Sequence, residues 1–167
     1  MFTLSWVGEH APEYAGDSSR MVLWGDSRGA TLAMDVVLGL ADDPAAPRVK
    51  AFVRAEGFYD FSNPFMAANE VTGWYVGEGG DEVRTDKRVS PLPHIRVGWP
   101  SRTYSSSPAP LISRWGPRGA GRELNESGIP FQLHVLEGMP HDFIRFPELD
   151  GMREGHRLMF DYLSRSV

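Results

Sequence analysis

Met21-Val22-Leu23-Trp24-Gly25-Asp26-Ser27-Arg28-Gly29-Ala30-Thr31-Leu32-Ala33 carries two periodicities joined by a turn. Met21 to Trp24 is a short, unbroken apolar run, which predicts a strand over 20–24 buried on both faces. Past Gly29 the repeat lengthens. Leu32, Val36 and Leu40 recur at four-residue spacing with Ala33 and Val37 alongside, predicting a helix whose stripe faces a core. Asp42-Asp43-Pro44 should stop it, because proline disfavours helical geometry in the residue before it.

The same alternation continues outward. Val49 to Ala55 is a second strand candidate, leading into Gly57-Phe58-Tyr59-Asp60. Residues 62–89 are mixed and aromatic, with Gly77 and a Gly79-Gly80 pair, and are expected to form short helices and loops. Phe131 to Leu136 is a third strand, entered through Gly128-Ile129-Pro130. Met152, Met159, Phe160 and Leu163 then share one face of a C-terminal helix. Strands alternating with helices imply an α/β fold, a mostly parallel sheet covered on both faces.

Composition narrows the function. The chain has 167 residues, 41% hydrophobic and 23% charged, with a net charge of −5, as expected of one globular domain spanning 1–167. Mild acidity argues against a nucleic-acid partner, which usually needs a clustered basic surface. No apolar run is long enough for a membrane span. The first residues, Met1 to Trp6, lack the basic start of a secretory signal. With no cysteine the chain has neither a thiolate nucleophile nor a Cys-based zinc site, which fits a cytoplasmic protein.

Ser27 is the centre of Gly25-Asp26-Ser27-Arg28-Gly29, between predicted strand and predicted helix. A strand that turns at once into a helix strains the serine backbone, and side chains two positions either side would meet neighbouring backbone. The hydroxyl is then exposed at the helix N-terminus, with the Arg28 N–H aimed at a developing oxyanion. A serine needs a base. Of five histidines, His134 lies in a strand, His156 on the last helix, His10 in a helix ahead of the serine and His94 in a proline-rich loop. His141, in Gly138-Met139-Pro140-His141-Asp142-Phe143, follows a strand, where catalytic loops of parallel sheets converge.

These segments resemble the α/β-hydrolase superfamily, in particular its hormone-sensitive-lipase-like esterase branch. Gly25-Asp26-Ser27-Arg28-Gly29 is similar to that branch's Gly-Asp-Ser-Ala-Gly elbow, with Arg28 replacing alanine, and Glu137 to Phe143 is similar to its histidine loop. Trp6 to Arg20 resembles the lead into the elbow strand, and Ser90-Pro91-Leu92 the segment before the acid-bearing strand. The resemblance implies hydrolysis of a small-molecule carboxylic ester through an acyl-enzyme, with Ser27 as nucleophile and His141 as base, and no cofactor or metal. Some serine peptidases carry a similar domain, so amide substrates stay open.

The pattern breaks in two places. Only Met1 to Gly25 and Asp26 precede Ser27, with no His-Gly-Gly loop to supply a second oxyanion donor, so a partial sheet lacking its N-terminal half is expected. The elbow strand would expose an edge bearing Val22 and Trp24, through which copies could associate. The acid should lie in 104–121, yet that window contains neither Asp nor Glu and does not look like a buried strand. With GC-rich codons, a second frame from Tyr104 can encode Leu-Leu-Leu-Leu-Ala-Gly-Thr-Ala-Asp, a strand, a turn and an acid. Within the written frame, Glu56 and Asp60 follow the Val49 strand, and Asp60 is the candidate that could reach His141, or else caps the Ser62–Phe65 turn. Asp142 is expected to point away from its neighbour. The gaps leave two expectations: a poor esterase, or a non-catalytic remnant of the fold.

Overall fold

In a computed structural model of the chain, the described residues are 2–38, 49–61, 90–91, 94, 109–113 and 131–166. Helix α1 (Phe2–His10) and two short 3-10 turns lead into strand β1 (Met21–Asp26) and helix α2 (Arg28–Val37). Strands β2 (Val49–Ala55), β3 (Ala109–Ser113) and β4 (Phe131–Val135) follow, and helix α3 (Asp150–Ser166) ends the chain. The four strands lie in the order β1-β2-β3-β4 and every pairing is parallel. This is the expected α/β class, a partial doubly wound sheet. The expected helices and loops of 62–89, the stop at Asp42-Asp43-Pro44, and Leu40 lie outside the described residues.

Each face of the sheet has its own core. The pleat sends Phe52 to one side of β2, where it joins Ala30, Ala33, Met34 and Val37 of α2 and Leu23 of β1. Ala51 and Val53 point the other way, onto Met159 and Tyr162 of α3, with Val22 and Leu163 against them. A strand covered on both faces needs a near-continuous apolar run, and only Lys50 is exposed in β2.

Three sequence expectations shift. The buried face of α2 is Ala30, Thr31, Ala33, Met34 and Val37, whereas Leu32 is 53% exposed. The stripe is rotated because the helix starts pressed against β1, where only small side chains fit. On α3 the buried positions are Gly151, Gly155, Met159 and Tyr162, and Phe160 faces out. The window that did not look like a strand contains β3. Its pairing to β2 involves Leu111 and Ile112, after Pro110, which has no N–H to give the ladder. Pairing with β4 runs from Ala109 to Ser113. Flanking strands on both sides impose extended structure on a segment with weak preference of its own.

β1 is an edge of the sheet among the described residues. Trp24 is exposed there, stacked edge-on to His156, while Val22 is partly covered by α3. The strand also runs two residues further than its apolar run, because Gly25 pairs with Arg54 and Asp26 with Ala55.

Of the two motif glycines, only Gly25 meets the steric expectation. A Cβ on Gly25 would lie 2.5 Å from the Ala30 Cα, a backbone contact that cannot relax locally, whereas one on Gly29 meets nothing within 4 Å. Gly25→Ala is therefore expected to destabilise the fold by at least ~2 kcal/mol. Gly29→Ala, in a helix, should be neutral or stabilise by roughly 0.5–1 kcal/mol. Urea denaturation of the two variants beside wild type measures both.

Candidate active site

The strands deliver chemistry at their C-terminal ends. Ser27 follows β1 directly, with φ 53° and ψ −122°, and serves as the residue before α2. Its N–H donates to the Ala55 carbonyl at 2.9 Å, so the β1–β2 ladder extends one step past Asp26. Its own carbonyl accepts from Ala30 and Thr31, starting the helix. The first N–H groups of a helix have no acceptor inside it, which makes this end suited to a developing negative charge.

His141 arrives from the loop after β4. That loop is anchored by Phe143 and Ile144, both buried with Leu136 and Met139 packed on them. It sits close on α3, where a Cβ at Gly155 would approach the Ile144 Cδ1 at 2.6 Å. Thus held, the imidazole Nε2 lies 2.9 Å from Ser27 Oγ, across 114 residues of sequence. The pairing expected of Ser27 and His141 is present as geometry.

The carboxylate on the other nitrogen is that of Glu56, not Asp60. Glu56 is the first residue beyond β2, and its Oε2 is 3.2 Å from His141 Nδ1. Asp60 lies four residues further on, beyond Tyr59, which is buried against α2. Residues this close to a strand end are fixed by the ladder. Asp142 does not point away either. In a left-handed conformation, φ 61°, it brings Oδ1 to 3.5 Å from Nε2. Among the described residues, non-glycine positive φ occurs at Ala15, Ser27, Glu56 and Asp142. Three of the four lie at this site, where backbone strain commonly collects.

The other histidines take other surroundings. His10 stacks on Trp6 in α1, His156 meets Trp24 and Phe160, and the His94 N–H donates to Pro91. His134 is in β4, where burial pulls its pKa below the usual imidazole value. Tyr59 and Phe61 are core residues, and Phe58 lies 6.0 Å from the His141 ring between centroids. Phe65, Trp74 and Tyr75 lie outside the described residues.

Glu56, His141 and Asp142 also bring three potential metal-ligand atoms within 4.8 Å of one another. Both imidazole nitrogens are already engaged, however: Nε2 faces Ser27 and Nδ1 faces Glu56. A cation would have to displace one of those partners.

Comparison with known proteins agrees with this frame. Residues 2–145 match the alpha/beta hydrolase fold family. The chain belongs to that family. Ethyl acetate hydrolase from Pseudomonas putida is 28% identical over 158 residues, covering 84% of this chain and 48% of that protein. Bacterial heroin esterase superposes with a TM-score of 0.72 at 21% identity, over 98% of this chain and 56% of the esterase. EstE1, a thermophilic carboxylesterase cloned from a metagenomic library, gives 0.71 at 23% identity, over 99% and 61%. The chain thus spans about half the length of the curated relative it matches. No helix of the described residues is long and apolar enough to cross a membrane.

Asp26, inside the serine motif, has an electrostatic setting of its own. Arg145 Nε donates to its Oδ2 at 3.0 Å. Burial, followed by the negative charge of Asp142, nevertheless raises its pKa above the ordinary aspartate value. The folded chain therefore binds this proton more tightly than the unfolded chain does. Stability contributed by the protonated group is present at low pH and falls as pH rises from about 4 through the raised folded value. Asp26→Asn should remove that part of the slope, read by urea denaturation across a pH series. A slope unchanged in the variant would assign it to other groups.

Proposed function

We propose that this chain is the serine-bearing part of a carboxylic-ester hydrolase that works through an acyl-enzyme. One observation carries the reading: a strained serine at a strand-to-helix turn with its hydroxyl 2.9 Å from an imidazole nitrogen. Ser27 Oγ would attack the ester carbonyl as His141 Nε2 takes its proton. The oxyanion would form beside the first turn of α2, where the Arg28 N–H is one donor. Collapse would release the alcohol, protonated by His141, and leave an acyl group on Ser27. Water, activated by the same imidazole, would then free the acid. The relatedness to an ethyl acetate hydrolase supports small acyl esters as the substrate class.

A second reading is a remnant that keeps the geometry without useful turnover. The match takes in 84% of this chain and 48% of that relative. Removal of one oxyanion donor costs about 10²–10³ in kcat at comparable sites, and the 167 residues assayed by themselves carry the Arg28 N–H as the proposed donor. The chain alone is expected to hydrolyse a short p-nitrophenyl ester that much more slowly than a full-length relative.

Ser27→Ala should abolish turnover and His141→Gln should reduce it by about 10²–10⁴, with folding retained. The corresponding change at His134 should leave it intact. Initial rates on p-nitrophenyl acetate, with circular dichroism as the folding control, check all three. Turnover that survives Ser27→Ala would refute the assignment.

A further inference from the structure

The written sequence places no acid in residues 104–121, where the resemblance leads one to seek it. The structure supplies a carboxylate from another strand. Ser27 and Glu56 are the residues immediately beyond β1 and β2, and these strands end in register, Asp26 opposite Ala55. The Ser27 N–H bond to the Ala55 carbonyl ties the two turns together at 2.9 Å. Nucleophile and carboxylate are thus separated by one rung of a parallel ladder.

The Glu56 side chain is 1% exposed and its backbone is left-handed, φ 49°. Oε2 accepts the Asp142 N–H at 2.7 Å and lies 3.2 Å from His141 Nδ1. It is therefore hydrogen-bonded to the backbone of the residue after the imidazole and within ion-pair distance of the ring itself. Asp142 is the only other carboxylate within ion-pair distance of His141 among the described residues, and it faces Nε2, the nitrogen that serves Ser27. A carboxylate there cannot hold the proton on Nδ1. A buried carboxylate is costly to hold ionised, and a protonated imidazole beside it offsets part of that cost.

We infer that Glu56 is the positioning carboxylate of this site: it holds His141 with its proton on Nδ1 and stabilises the imidazolium formed during acyl transfer. The inference rests on the Ser27–His141 reading of the site. When Ser27 attacks, its proton passes to Nε2, the Nδ1 proton stays on the ring and points at Glu56, and the carboxylate remains ionised. The proton then leaves with the alcohol. No acid from 104–121 and no second codon frame is required.

Two readouts on the full 167-residue chain test this. Nitrogen shifts of isotope-labelled histidine, assigned with His141→Gln, report which ring nitrogen holds the proton in the neutral form, with or without turnover. Wild type is expected to carry it on Nδ1. A neutral His141 protonated on Nε2 would overturn the inference. The second readout is kinetic. Glu56→Gln keeps an oxygen for the Asp142 amide but loses the charge, and should lower kcat by up to about 10⁴ with KM little changed. Glu56→Asp, which restores the charge on a shorter side chain, should recover part of the loss. A Glu56→Gln chain that turns over like wild type would also overturn the inference, as would a loss of melting temperature in that variant with kcat unchanged for the folded fraction. Absence of Ser27-dependent turnover in wild type would instead count against the ester-hydrolase reading, and the tautomer would still decide the role of Glu56.

Discussion

The hydrogen bond from the Ser27 N–H to the Ala55 carbonyl is the constraint on which the site depends. It extends the parallel ladder one residue beyond β1, and so makes the chain reverse into α2 while still attached to its neighbour strand. A non-glycine residue at φ 53° is costly alone, of order 1–3 kcal/mol, and persists only where surrounding structure over-determines it. Here the ladder holds one side of the turn, and the packing of Ala30 against Gly25 holds the other. The same bond sets the level at which Glu56 leaves the sheet. Serine and carboxylate are positioned by one interaction rather than two.

The outer layers complete that arrangement. α2 packs by small side chains on one face of the sheet, and α3 covers the other with Met159 and Tyr162. α3 also receives the loop that carries His141, through Phe143 and Ile144 near Gly151 and Gly155. A side chain on either glycine would press on the Met139 or Ile144 side chain, which would have to move aside. Since Nε2 must stay within hydrogen-bond reach of Ser27 Oγ, displacement by the width of a methyl group would break the pair. Helix packing behind the loop therefore helps set the His141–Ser27 distance in front of it.

What the sequence makes legible follows from how far each feature depends on distant chain. Ser27 is readable because strand, turn, glycine and helix lie within a few residues, and His141 because it follows a strand in a short loop. The second strand is likewise legible over Val49–Ala55, the bounds it takes in the fold. Features set by remote partners were not readable. The rotated face of α2 depends on its approach to β1, which four-residue spacing does not encode. β3 is extended because β2 and β4 flank it, not because of its own residues, which include Pro110. Choosing between Glu56 and Asp60 required knowing where β2 ends relative to β1. The signal was present in a weak form: Glu56 is the first polar residue after an apolar strand, whereas Asp60 lies past a turn.

The two carboxylates around His141 show why proximity alone is a poor guide to role. Asp142 is adjacent in sequence and comes within 3.5 Å of Nε2, yet that is the nitrogen which, in the proposed acyl transfer, takes the serine proton. Its negative charge is instead felt by Asp26, whose pKa it raises second only to burial, while Arg145 pairs with the same aspartate. Glu56 is remote in sequence, buried, and directed at Nδ1. A negative group on the Nε2 side attracts a proton to the nitrogen that must accept one, whereas a negative group on the Nδ1 side leaves Nε2 unprotonated and basic until attack occurs. The arrangement thus divides two similar charges by which face of one ring each can reach. That division is imposed by the strand from which each side chain departs.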